Sequence, residues 1–113
     1  MPKFLALYIG SATDEQKAAS LISPEKQLEG LSAWGKWMGD NAAHIRDGGG
    51  PLGKTKRISR SGIEVSRNSL TGYVIVEAET HEAAAPLFEN HPHFTIFPGE
   101  AVEVIECLEI PGM

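Results

Sequence analysis

The sequence has a single cysteine, Cys107, so no disulfide can close within the chain and a stapled secreted scaffold is excluded. It has no apolar run approaching the roughly 20 residues of a membrane span. No basic segment followed by an apolar one opens it, so no signal peptide is expected. Lysine and arginine are scarce, 10 against 15 Asp and Glu, and the net charge of −5 argues against nucleic acid and anionic membrane surfaces as partners. A glycine-rich stretch, Gly48 to Gly53, is followed by Lys54-Thr55, which mimics the Gly-Lys-Ser/Thr ending of a phosphate loop, but Pro51 within it and the lack of a following helix argue against one. No Cys or Asp cluster supplies the further ligands that His91 and His93 would need to hold a metal, and no nucleophile elbow is present. The expectation from these absences is a cytoplasmic domain spanning 1–113, without cofactor or metal.

What is present is ordered punctuation. Phe4 to Ile9 is continuous and apolar, closed by Gly10, which suits a strand buried on both faces. Thr13 offers a helix cap with Gln16 as its capping-box partner. Ser23-Pro24 starts a further helix, with Leu28, Leu31, Trp34 or Gly35, and Met38 as the stripe expected to face a core. His44 to Asp47 reads as a short strand and Gly48 to Gly53 as a loop. Thr55–Ser59 and Gly62–Ser66 read as hairpin arms turning at Arg60-Ser61-Gly62. Gly72 to Ala78 reads as a second strand, with Tyr73 to Val76 continuous and apolar. Thr80 caps a helix that Pro86 disturbs and His91-Pro92-His93 ends. Ala101 to Ile110 alternates as a last strand. The order β-α-β-β-α-β, with an added hairpin, predicts an α+β, ferredoxin-like fold.

Helices cover only one face of such a sheet. The strands at Lys3 to Ile9 and Tyr73 to Val76 are apolar on both faces, so a second copy is expected to cover the other, giving a homodimer built as a dimeric α+β barrel.

Three groups are candidates for acid–base chemistry: His44 with Asp47, and His93. His44 and Asp47 stand three apart, so a strand that bends at Asp47 is needed to bring them together. His91 and His93 flank Pro92, which can turn both rings to one side. Tyr8, Trp37, Tyr73 and His91 are candidates to border a small-molecule ligand, with Trp34 in the core. Cys107 reads as a buried, inert thiol.

The chain resembles the YCII-related, or DGPF, family. The resemblance is carried by Lys3-Phe4-Leu5-Ala6-Leu7-Tyr8 and by the tryptophan-bearing helix before Gly39. Leu70 to Thr80 and His91-Pro92-His93 with Gly99 to Val104 complete it. The family's Asp-Gly-Pro-Phe motif is replaced by Arg67-Asn68-Ser69-Leu70, and no helical histidine stands between Ser23 and Leu31. The resemblance implies a ferredoxin-like dimeric barrel with a cleft, a His–Asp pair as the site in some members, and lyase-like or dehalogenating relatives. The resulting expectation is a cofactor-free small-molecule enzyme with a His-containing cleft. The alternative is a non-catalytic binding or interaction module.

Overall fold

The structure is a computed structural model that describes residues 1–10, 24–97 and 99–112. The capping box at Thr13 and the Ser23 cap lie outside these residues, as does Pro98.

Four strands form an antiparallel sheet: β1 (Lys3–Gly10), β2 (Ile45–Pro51), β5 (Leu70–Glu77) and β6 (Gly99–Cys107), in the order β2-β5-β1-β6. That order, with the helices between, is the ferredoxin-like arrangement. The remaining strands, β3 (Thr55–Ser59) and β4 (Gly62–Ser66), form a separate two-stranded hairpin. Both arms end where the turn residues place them, since Gly62 takes a positive φ of 115°.

Helix α1 (Pro24–Asp40) crosses one face of the sheet. Helix α2 (His81–Ala84) begins at Thr80, whose Oγ1 accepts from the Ala83 N–H at 3.1 Å. Pro86 then draws the chain into a single 3₁₀ turn, Ala85–Phe88. His91-Pro92-His93 does not simply end this region. It opens a new short helix, α3 (Pro92–Thr95), with His91 as its cap and Pro92 at its first position.

The core is one sheet face against these helices. Phe4, Ala6 and Tyr8 of β1 and Val74 and Val76 of β5 are buried there with Trp37, Ala84 and Phe88. The helix stripe differs from the expected one. Leu28 and Leu31 are 69% and 64% exposed, while Gly30 and Trp37 are buried and Trp34 and Met38 half-buried. The reason is a close approach: a Cβ on Gly30 would collide with the Phe97 ring, so the bare glycine backbone is what meets α3's trailing loop. That fixes the helix rotation and brings round the tryptophans.

The glycine-rich loop is also partly strand. β2 runs on to Pro51, pairing irregularly with β5, and the Asp47 carboxylate accepts from the Gly49 N–H at 2.9 Å inside the irregularity. On the sheet's other face Leu5, Leu7, Ile9, Tyr73 and Ile75 are half-buried, and Ile105 is exposed. Cys107, expected to be buried, is exposed near the end of edge strand β6.

Candidate functional site

Beneath α1 the alternation of β1 turns Tyr8 toward the helices, where it is 2% exposed. It meets four rings there. Trp34 lies 4.8 Å away between centroids, His91 5.0 Å, His93 5.1 Å and Phe88 6.3 Å. Trp34 and Trp37 each stand edge-on to His91 at 4.5 Å, from consecutive turns of α1. Phe97 closes the far side of Trp34 at 5.9 Å. The Trp37 indole N–H donates to the Leu87 carbonyl at 2.8 Å, which ties α1 to the 3₁₀ turn.

Polar contacts within this aromatic box fix its protons. The His93 backbone N–H donates to His91 Nδ1 at 3.0 Å, the capping bond of α3. A neutral His91 must then carry its proton on Nε2, and that N–H donates to Tyr8 Oη at 3.1 Å. The Tyr8 hydroxyl is left with its own proton to give, and no acceptor for it stands among the described residues. Burial pushes the Tyr8 phenol well above its ordinary range, so it stays a neutral donor. Burial, with His93 beside it, lowers His91 to about 4, so the imidazole is uncharged at neutral pH.

His93 is buried and also depressed by burial, with the backbones of Ile9 and Ala101 pulling the other way. Its Nε2 lies 2.8 Å from the Ile9 carbonyl. Gly99 at the start of β6 is pressed against this ring, and any side chain there would occupy its place.

The residues singled out from the sequence are thus divided. Tyr8, Trp37, His91 and His93 converge. His44 and Asp47 do not join them: His44 Nδ1 donates to the Glu77 carbonyl at 3.1 Å, and Asp47 is bonded to the Gly49 N–H. Their carbonyl and amide partners hold them at the β2 edge, apart from each other's ring and carboxylate. Tyr73 pairs with Leu7, one register step from Tyr8, and therefore faces the opposite side of the sheet. Trp34, expected in the core, packs half-buried against it and is also a wall of the box. Its signal was available: it shares the buried helix face with Gly30 and Trp37 once Leu28 and Leu31 are placed outside.

Beside the box, with Phe88 as shared wall, an open hollow of about 300 Å³ is lined by His81, Ala85, Glu89, Phe94, Val102 and Val104. That volume is at the lower end for small-molecule sites. Among the described residues no three His, Cys, Asp or Glu side chains converge as metal ligands do. No helix among them is long and apolar enough to cross a membrane.

No family model matches the chain, and no curated protein sequence does either. Among solved structures the chain is similar to the 5-chloro-2-hydroxyhydroquinone dehydrochlorinase of Burkholderia phenoliruptrix, determined in complex with 2,5-dihydroxybenzoquinone. The TM-score is 0.54 at 19% identity, covering 90% of this chain and 89% of that one. The two share a fold.

Proposed function

We propose that this chain is a YCII-related, cofactor-free enzyme acting on a small hydroxylated ring, with Tyr8, His91 and His93 as its polar groups. The observation that carries the reading is the Tyr8 hydroxyl. It is buried, held from behind by His91 Nε2–H, and has a proton with no acceptor among the described residues. A ring oxygen, carbonyl or phenol, is the natural acceptor, and the hollow that shares Phe88 as a wall with the box suits a flat apolar body. Donation from a neutral phenol to such an oxygen stabilises negative charge developing on it, as elimination or proton removal elsewhere on the ring requires. His93, the second buried imidazole, is the group nearest to serve in proton transfer. The structural neighbour's bound dihydroxybenzoquinone supports the substrate class.

The reading includes a second copy. The helix-free face of Leu5, Leu7, Ile9, Tyr73 and Ile75 is apolar, and two such faces packed together would close the dimeric barrel. Turnover of chlorinated and non-chlorinated hydroquinones tests the chemistry, with Tyr8→Phe and His93→Gln compared to the unsubstituted chain. A drop in kcat of a hundredfold or more is expected for Tyr8→Phe. Turnover unchanged in both variants would refute the assignment.

One observation favours a non-catalytic binding role instead: both His91 nitrogens are already engaged and its ring is uncharged. Tight binding of these rings without turnover by the unsubstituted chain would establish that role.

A further inference from the structure

The hairpin β3–β4 stands apart from the sheet and packs extensively against no other described element. Its register puts Lys56 opposite Val65 and Ile58 opposite Ile63, so these four share one face. Ile58, Ile63 and Val65 are 71%, 72% and 76% exposed. The opposite face carries Thr55, Arg57, Ser59, Glu64 and Ser66, with Arg57 and Glu64 paired at 3.8 Å. A lone two-stranded hairpin is marginal in water, and one with an uncovered apolar face is more so.

Charge says what covers it. Lys54 to Arg67 holds five of the chain's ten Lys and Arg and one acid, Glu64, a net of +4. The chain from Gly99 onward holds Glu100, Glu103, Glu106 and Glu109 and no base, a net of −4. That acidic segment has its own uncovered apolar residues, Ile105, Leu108 and Ile110, at 44%, 80% and 64% exposure. It includes the free edge of β6, the outermost strand of the sheet. The hairpin and this segment are both apolar on an exposed side and opposite in charge, yet within one chain they do not pack extensively together.

We infer that the hairpin is an arm that grips a second copy of this chain, laying Ile58, Ile63 and Val65 on the partner copy's acidic Ile105 to Ile110 segment. Lys56 and Arg60, beside and at the tip of the apolar face, meet Glu106 and Glu109 of that segment. The inference rests on the two-fold pairing above but adds a contact that runs from Ile105, at the margin of that sheet face, out to Leu108 and Ile110. Reciprocal arms would clamp the pair from both ends, since a two-fold interface repeats each contact.

Exposed Cys107 makes the contact measurable. Mild oxidation of an Ile63→Cys variant is expected to give a covalent dimer whose bridge maps to positions 63 and 107, and the same variant with Cys107→Ser gives none. Lys56→Glu with Arg60→Glu is expected to weaken dimerisation in sedimentation equilibrium at least tenfold. Mixing with a Glu106→Lys, Glu109→Lys chain restores it. A dimer indifferent to these charge reversals, with no 63–107 bridge, overturns the arm while leaving the sheet-face pairing standing. A chain that is monomeric throughout overturns both.

Discussion

His91 is held uncharged because its environment offers it one donor and one acceptor but no counter-charge. The His93 N–H fills Nδ1, Tyr8 Oη takes the Nε2 proton, and three aromatic rings exclude water. The consequence for stability has a definite sign. In the unfolded chain this group titrates near 6.5, whereas in the fold it does so near 4. Between those values the unfolded chain binds more protons, so stability is full above about pH 6.5 and is lost as pH falls toward 4. The loss is on the order of 3 kcal/mol for His91 alone, and His93, shifted in the same direction, adds to it. Urea unfolding at pH 7 and pH 4.5 measures it. His91→Asn keeps a capping side chain but cannot titrate, so its stability should depend less steeply on pH over this range. At this scale the sequence was half legible. Histidines around a proline, and a tyrosine on an apolar strand, marked the residues that converge. His44 and Asp47 looked equally chemical, and only backbone partners within reach, the Glu77 carbonyl and the Gly49 N–H, distinguish them.

Elements set which side chains meet, and one contact sets the rotation of α1. Gly30 against the Phe97 ring turns Trp34 and Trp37 inward and leaves Leu28 and Leu31 outside. Gly30→Ala should therefore destabilise by about 1–3 kcal/mol despite alanine's better helix propensity. In a double-mutant cycle, Phe97→Ala should recover part of that loss, because it removes the atoms the new methyl meets. An additive cycle would show that the two do not constrain one another. The leucine periodicity misled for a physical reason: spacing gives a helix its apolar residues, but a close backbone approach decides which of them face in. The strands and the hairpin were read more faithfully. β3 and β4 fall where the turn residues put them, and β5 and β6 begin and end within a few residues of expectation. The glycines of β2 were the exception, since they read as a loop and pair irregularly as strand instead.

For the whole molecule, the order of elements predicted the ferredoxin-like sheet, and the strand order and the structural neighbour agree with it. Continuous apolar strands had pointed to a cover on both faces. One face is covered by the chain's own helices, and the other is left half-exposed with Leu5, Leu7, Tyr73 and Ile75. On the proposed two-fold pairing through this face, Leu7→Lys with Ile75→Asp should yield a folded monomer by sedimentation where the unsubstituted chain is a dimer, with the far-ultraviolet spectrum retained. If that pair stays dimeric, another surface joins the copies. Neither the box nor its protons were legible at this scale, because they depend on a strand, a helix and a cap far apart in sequence.

The claim that Tyr8 offers its proton to a ligand's ring oxygen is tested most directly by calorimetric titration with 2,5-dihydroxybenzoquinone at pH 7.5, on the unsubstituted chain and on Tyr8→Phe. The unsubstituted chain should bind, and Tyr8→Phe should bind at least tenfold more weakly while unfolding at a similar urea concentration. Equal binding by the two proteins, or none by the unsubstituted chain, would contradict it.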